Sequence, residues 1–233
     1  MRGTCRMRDR YQGGRFESKH ERDAIPLWGL TPRVQVLQLQ QPKFEFIGAD
    51  GEPHRYRADI HVAFDLIRLP PLAIECKYQA EIDAKADLRD KLSRLPLACG
   101  AVKKRFLLQT DRDTYALGFE SRKHIWSYHN EPTSPFEDEV VDCVREKDAL
   151  SVDSVLTLLR LDAGARLEMV PYIWRAVARG RLFVDFRETA SRTMILNSRP
   201  LAAKILNVLL PDEYAYAIDE ANRRDSAAAE AVA

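Results

Sequence analysis

Two short segments of the chain place acidic residues within an apolar alternation. In residues 56–65, the even-numbered positions are aliphatic or aromatic, and Asp59 lies between them. In residues 72–78, the even-numbered positions are again apolar, and Glu75 and Lys77 occupy odd ones. Because successive side chains of a β-strand point to opposite faces, we predict two strands that each direct a carboxylate away from an apolar row. If these strands pair, Asp59, Glu75 and Lys77 converge on one patch of a sheet.

Two carboxylates and a lysine in one patch are suited to metal-dependent cleavage of a phosphodiester. Carboxylates supply the hard oxygen ligands that Mg²⁺ prefers, and the ion bridges to substrate phosphate oxygens. The backbone carbonyl of Cys76 could add another oxygen ligand. Lys77 would hold or deprotonate the attacking water and offset negative charge in the transition state.

The spacing by itself also fits a simpler explanation. An aspartate followed sixteen positions later by Glu-x-Lys arises often by chance. Glu75 and Lys77 would then only decorate a solvated strand face, and on spacing alone this is the commoner case.

The elements that must position these residues form an α/β pattern. A helix is predicted over residues 16–28, although Pro26 should end or kink it. An amphipathic helix is predicted over residues 81–95 from the spacing of its apolar side chains. Strands are predicted at 33–40, 43–47, 56–65, 72–78 and 105–110, with a hairpin turn at Asp50-Gly51. The order indicates a mixed sheet flanked by helices.

The patch residues resemble a known nuclease motif. Arg57-Ala58-Asp59 followed by Ile74-Glu75-Cys76-Lys77 resembles the PD-(D/E)xK motif of restriction-endonuclease-like nucleases. Ala58 stands where the family usually has proline, which alters a turn and not a ligand.

More of the chain, roughly residues 15–200, resembles one branch of that superfamily, the TnsA endonucleases of heteromeric transposases. Ser18-Lys19-His20-Glu21 matches an upstream Ser-x-x-Glu helix, and Gln41-Pro42 matches a Gln-Pro before the next strand. The aspartate strand, the Glu-x-Lys strand, a helix and a further strand follow in the order of that branch. A closing winged-helix domain completes the resemblance.

This resemblance implies an active site with named roles. Catalytic residues would be Glu21, Asp59, Glu75 and Lys77. Mg²⁺, with Mn²⁺ able to substitute, would be held by Asp59, Glu75, the Cys76 carbonyl and Glu21.

Several neighbouring residues have roles that the sequence leaves open. Glu17 competes with Glu21 for the third carboxylate, and Ser18, three residues before Glu21, favours the latter. For Gln41 two roles stay open, a place in the site or only the fixing of the loop beside it. Three histidines could line the cleft, although unpaired histidines usually serve as ordinary hydrogen-bonding residues: His20, His54 and His61.

The resemblance also implies a function and partners. The protein would hydrolyse the 5′, non-transferred strand of double-stranded DNA at transposon ends during cut-and-paste transposition. Its partners would be an integrase-type, TnsB-like transposase and a TnsC-like AAA+ regulator. Two alternatives remain: a stand-alone restriction or repair endonuclease of the same fold, and a non-catalytic DNA-binding assembly subunit.

The second part of the chain has a different pattern. A Pro/Ser/Thr cluster at 130–135 indicates a break, so a nuclease domain is predicted at 16–140 and a winged-helix-like domain at 149–212. Ser151 is a predicted N-cap for a helix over 152–161. A helix over 166–181 and strands at 182–186 and 193–196 complete the winged-helix pattern.

Three arginines lie off the apolar row of the second helix and are nominated to contact DNA: Arg166, Arg175 and Arg179. A small helical subdomain without DNA contact is the alternative. Trp126 and Trp174 are predicted to be core residues. Residues 213–233 are predicted to form a C-terminal tail, and its alanine-rich segment after Asp225 is expected to be frayed.

Composition limits the remaining classes. The chain has 233 residues and a formal net charge of +1, which excludes a uniformly basic protein that coats nucleic acid. The charge is uneven, because residues 1–15 form a predicted flexible basic arm and residues 136–148 are acidic. The four cysteines show no CxxC spacing, and no apolar run reaches the length of a membrane span. We therefore expect a soluble, cytoplasmic protein with reduced cysteines.

Overall fold

The computed structural model describes residues 3–5, 11–12, 14–41, 43–47, 51–116, 118–132, 134–159 and 163–231. Its chain divides into two compact units. The first unit comprises Met1–Trp28 and Arg33–Ala116, and the second comprises Gly29–Pro32 and Leu117–Ala233. The division after residue 116 differs from the predicted end of the first domain at 140, because the helices just after residue 118 pack within the second unit.

The first unit is α/β. Its strands are β1 (Gly3–Cys5), β2 (Tyr11–Gln12), β3 (Gly14–Phe16), β4 (Val34–Leu39), β5 (Lys43–Ile47), β6 (Pro53–Arg57), β7 (Ile60–Phe64), β8 (Leu72–Lys77) and β9 (Arg105–Thr110). Its helices are α1 (Lys19–Gly29, ending in the second unit), α2 (Gln79–Ala84), α3 (Ala86–Ala101) and α4 (Asp111–Thr114).

A five-stranded mixed sheet forms the centre of this unit, in the order β2-β4-β7-β8-β9. The β7–β8 pair is antiparallel and the β8–β9 pair is parallel. A parallel pair needs a crossover connection, which α2 and α3 provide. Leu95 and Cys99 of α3 pack with Ala73 and with Tyr56 from the β5–β6 hairpin in one apolar cluster. The expectation of a mixed sheet flanked by helices is confirmed.

Several predicted elements are divided in the structure. The strand predicted over 56–65 is two strands with a break at Ala58-Asp59, and the helix predicted over 81–95 is α2 and α3 with a break at Lys85. The predicted flexible arm contains paired strands instead, because β1 pairs with β3 and β2 pairs with β4. Asp50 of the predicted hairpin turn lies outside the described residues.

The second unit is mainly helical. Its elements are α5 (Phe119–Trp126), α6 (Pro135–Arg145), β10 (Ala149–Ser151), α7 (Val152–Leu158), α8 (Ala163–Ala178), β11 (Ile195–Asn197), α9 (Ala203–Leu206) and α10 (Asp212–Glu230). The Ser151 side chain caps α7, as predicted, by accepting a hydrogen bond from the Ser154 backbone N–H at 3.1 Å. Strands β10 and β11 pair antiparallel, and Phe183 bridges to Asn197. Trp126 and Trp174 are buried, as predicted.

A buried ion pair joins α6 to α8. Arg175 is fully buried and donates to the Glu137 carboxylate, which is also buried and accepts a second bond from Arg181 at 3.2 Å. The prediction that Arg175 contacts nucleic acid is therefore wrong, because its guanidinium is enclosed in the core. Arg179 is partly exposed and donates to the Glu131 carbonyl at 3.2 Å. The side chain of Arg166 lies outside the described residues.

The predicted C-terminal tail is the helix α10. Its first turns bury Tyr214, Ala215 and Ile218, so this segment contributes to the core of the second unit. The alanine-rich composition that indicated fraying is instead compatible with a regular helix, because alanine has the highest helix propensity.

A short N-terminal piece of the chain also belongs to the second unit. The buried Asn207 side chain donates from Nδ2 to the Thr31 hydroxyl at 2.9 Å. A Cβ added at Gly29 would lie 2.3 Å from the Trp126 ring, so this position requires glycine. None of the helices in the described part of the chain is both long and apolar enough to span a membrane.

The buried ion pair gives a stability prediction. Glu137→Ala should lower the free energy of unfolding by about 3–5 kcal/mol, because it leaves the Arg175 charge buried without its partner. Asp138→Ala is the matched control. Its side chain is 68% exposed and pairs with Arg181, so its loss should cost at most about 1 kcal/mol. Urea unfolding measures both, and equal losses would contradict the structural role of Glu137.

Candidate active site

The break between β6 and β7 positions Asp59 against the end of β8. Pairing of Ile60 with Ile74 sets Asp59 beside Glu75 and Cys76. The Cys76 backbone N–H donates to Asp59 Oδ2 at 2.8 Å. The carboxylate is thus fixed by a backbone donor of the neighbouring strand. Asp59 as a whole is buried, with 8% of its surface exposed.

Lys77 connects the predicted metal ligands. Its Nζ lies 2.8 Å from Glu75 Oε1, 3.7 Å from Asp59 Oδ2 and 3.2 Å from the Cys76 carbonyl oxygen. The other carboxylate oxygen of Glu75 accepts a hydrogen bond from the Tyr56 hydroxyl. Asp59, Glu75 and Lys77, predicted to converge, are therefore in direct contact or nearly so.

Glu21 reaches the same cluster from α1. Its backbone N–H donates to Ser18 Oγ at 3.1 Å, and its carboxylate accepts from the Glu17 backbone N–H at 2.9 Å. The Ser18 hydroxyl thus caps the first turn of α1, which explains the Ser-x-x-Glu spacing, and the Glu21 carboxylate turns back to the N–H of the residue before Ser18. Glu17 is exposed and pairs with Arg57 at 3.3 Å, so Glu21, and not Glu17, is the buried carboxylate beside Asp59.

Gln40 links Glu21 to Asp59 and was not predicted. Its Nε2 lies 3.1 Å from Glu21 Oε2 and 3.3 Å from Asp59 Oδ1, and its backbone N–H donates to the Asp59 carbonyl at 2.8 Å. Gln40 has φ +57°, a left-handed conformation that is uncommon for glutamine. The predicted Gln41 is exposed, and Pro42 lies outside the described residues.

Tyr56 is the second contributor that sequence reasoning missed. Its place in the predicted apolar row of residues 56–65 indicates no polar role, and the residue is indeed buried, with 4% of its surface exposed. A buried tyrosine hydroxyl needs a partner, and a nearby buried glutamate is a suitable acceptor. This need for a hydrogen-bond partner is the property from which a contact between Tyr56 and a carboxylate of the site could have been predicted.

The three nominated histidines do not join the carboxylates. His20 is buried and its Nε2 lies 2.7 Å from Thr114 Oγ1, while burial lowers its pKa. His61 contacts Gln38 and Lys104, and burial together with the Lys104 charge lowers the pKa of His61 to about 4. His54 is exposed on β6.

The cluster has more acidic than basic groups. Burial and the neighbouring Glu75 charge raise the pKa of Asp59 to about 7. Burial opposes the charge on Lys77, but the carboxylates of Asp59 and Glu75 outweigh it and raise the pKa of Lys77 above its ordinary value. In this arrangement Lys77 is therefore an ammonium at neutral pH, a form that stabilises negative charge.

The donor set fits a hard divalent cation, although the ligands are not yet arranged around one. Within the described ranges, no three His, Cys, Asp or Glu side chains are arranged as metal ligands. The Lys77 ammonium instead contacts the oxygens of Asp59, Glu75 and Cys76 that were predicted to bind Mg²⁺. These oxygens, with Glu21 nearby, are the ligand type that Mg²⁺ takes. The surplus of buried negative charge would be offset by such an ion.

Comparison with known proteins adds no family assignment. No protein-family model matches the chain, and no curated protein matches it significantly in sequence.

The raised pKa of Asp59 predicts a pH-dependent effect on stability. Between about pH 4 and 7 the folded protein keeps a proton on Asp59 that the unfolded chain has released. This group therefore lowers the free energy of unfolding as the pH rises through that range. Asp59→Asn removes the effect, so its stability relative to wild type should increase from about pH 5 to about pH 8.

Urea unfolding in EDTA at both pH values measures this difference. The control is Asp65→Asn, which alters an exposed aspartate just after β7. Its stability relative to wild type should not change in that direction. A pH-independent difference for Asp59→Asn would contradict the raised pKa.

Proposed function

We propose that the protein is a Mg²⁺-dependent DNA endonuclease of the PD-(D/E)xK type. The observation that carries this proposal is the contact of one lysine ammonium with Asp59, Glu75 and the Cys76 carbonyl at the end of β8. An aspartate just before one strand and Glu-x-Lys on the next strand thus meet in one buried cluster, as phosphodiester hydrolysis by this class of enzyme requires. Mn²⁺ should substitute for Mg²⁺.

The residues have distinct roles in this proposal. Asp59, Glu75, the Cys76 carbonyl and Glu21 would hold the ion. When bound, Mg²⁺ polarises the phosphate and lowers the pKa of a bound water. Lys77, whose ammonium contacts Asp59 and Glu75, would offset the negative charge of the reacting phosphate. Gln40 and Tyr56 orient the carboxylates.

The order of elements supports the finer assignment to the TnsA-like, restriction-endonuclease-like group. Helix α1 supplies Glu21, the turn after β4 supplies Gln40, and β7 and β8 supply the motif, followed by α3 and β9. In the second unit, α7, α8 and the β10–β11 pair support a winged-helix domain. The proposed substrate is the 5′ strand at a transposon end, with a TnsB-like transposase and a TnsC-like regulator as partners.

The catalytic assignment predicts loss of cleavage in two variants. Asp59→Ala and Lys77→Ala should each lower the rate of DNA cleavage by about 10²–10⁴-fold, because one removes a metal ligand and the other the ammonium that offsets transition-state charge. Asp65→Ala should keep wild-type cleavage. The assay follows nicking of end-labelled duplex in Mg²⁺ or Mn²⁺, and wild-type rates in the first two variants would refute the site.

The choice of substrate separates the transposition role from a stand-alone nuclease. A transposon-end duplex is incubated with and without its transposase, and strand-specific 5′ release that needs the transposase is the expected result. Cutting of unrelated duplex by the purified protein alone would favour a restriction or repair enzyme.

Tyr56 gives a separate prediction on metal affinity. Tyr56→Phe removes the hydroxyl that donates to Glu75 and should weaken Mn²⁺ binding by about 10–100-fold, as loss of a group that orients a ligand does. Tyr115→Phe is a matched control, because its hydroxyl donates to Asp23, outside the Asp59–Glu75 pair. Calorimetric titration with Mn²⁺ measures both, and equal affinities in the two variants would contradict the role of Tyr56.

A further inference from the structure

One end of the central sheet collects basic residues in a protein that is nearly neutral overall. Residues 66–74 and 94–110 contain no aspartate or glutamate. They contain five basic residues: Arg68, Arg94, Lys103, Lys104 and Arg105. Basic residues that are concentrated in segments without acidic residues create a local positive potential, even in a chain of net charge +1.

Four of these residues lie at the same end of the sheet. The Arg105 backbone N–H donates to the Pro71 carbonyl at 2.9 Å, and Arg105 pairs with Leu72. Arg68 lies in the turn just before Pro71, and Lys103 and Lys104 directly precede β9. We call Arg68, Lys103, Lys104 and Arg105 the basic end.

The basic end is largely accessible. Arg68, Lys103 and Arg105 are exposed, and Lys104 is half-buried against His61. Beside Arg68, the apolar side chain of Ile67 is fully exposed, at 104% of its reference area. An exposed aliphatic side chain beside basic residues is suited to contact the sugars and the edges of the nucleobases in a nucleic acid.

The basic end is aligned with the candidate active site. Strands β8 and β9 are parallel, with Leu72 opposite Arg105 at one end and Lys77 opposite Thr110 at the other. Five residues of β-strand span about 17 Å. B-DNA rises about 3.4 Å per base pair, so this distance corresponds to about five base pairs. Strand β9 is the last strand of the described sheet, so a duplex along it can reach both ends.

We propose that the basic end binds the backbone of double-stranded DNA about half a helical turn from the phosphate at the candidate active site. Double-stranded DNA fits better than an acidic protein because the same polyanion is required at the other end of β9. The choice of DNA as the occupant therefore rests on the proposed function, whereas the binding measurement that tests it does not require cleavage.

The test is a triple variant, Arg68→Gln, Lys103→Gln and Arg105→Gln, in the full chain. Its matched control removes three bases that each pair with an acid: Arg55→Gln, Lys85→Gln and Arg145→Gln. Binding to a labelled 30-base-pair duplex is measured by fluorescence anisotropy in EDTA at several salt concentrations. Both triple variants lose three positive charges, so net charge alone cannot distinguish them.

The expected result is specific to the basic end. The first triple variant should bind roughly tenfold more weakly, and the slope of log affinity against log salt should fall by about 2–3, since each lost phosphate contact contributes about 0.9. The control should change affinity less than about twofold. Thermal unfolding of both variants checks that the fold is retained.

Two outcomes would overturn the proposal. The first is wild-type affinity and salt slope in the first triple variant, which would assign the basic end to a different partner. The second is an equal loss in both variants. Neither outcome depends on DNA cleavage. If the protein bound DNA through the basic end but did not cut it, only the nuclease proposal would be refuted.

Discussion

The structure of the site depends on one constraint, the enclosure of several carboxylates with too few cations. Asp59, Glu75 and Glu21 are each less than a tenth exposed, and Lys77 is the ammonium among them. Buried charge is costly unless it is paired and hydrogen-bonded. The surroundings accordingly consist of donors: the Cys76 N–H, the Gln40 amide and the Tyr56 hydroxyl all point at carboxylate oxygens.

The second unit contains a buried ion cluster with the opposite balance. There a single carboxylate, Glu137, receives bonds from Arg175 and Arg181, so its charge is compensated within the protein. Such a cluster joins α6 to α8 and has no surplus of negative charge for a bound cation to offset. The site of the first unit remains short of positive charge after every contact has formed. This difference, and not burial alone, separates a structural ion pair from a candidate site that binds a cation.

The sequence predicted the features of the fold and site that depend on residues close together in the chain. The strands β4, β5, β8 and β9 followed from alternation and turn residues. The convergence of Asp59, Glu75 and Lys77 followed from the pairing of the strands that these residues belong to or, for Asp59, directly precede. Gln40 could not be selected over Gln41, because a left-handed backbone conformation set by the surrounding fold decides which amide faces the carboxylates. Arg175 was misjudged because an arginine off the apolar row usually faces solvent, and its acidic partner lies 38 positions earlier in the chain. The C-terminal tail was misjudged because the burial of Tyr214 and Ile218 depends on tertiary packing.

The participation of residues 29–32 in the second unit has a consequence for how the two units can be inherited. Neither unit corresponds to one uninterrupted stretch of coding sequence. A gene fragment beginning at residue 117 would encode Asn207 without Thr31, which accepts the hydrogen bond of its buried amide nitrogen, and Trp126 without Gly29, which lies against its ring. Recombination that exchanged either unit at a single crossover would therefore damage the other. The two units are expected to have been transmitted, duplicated and selected together.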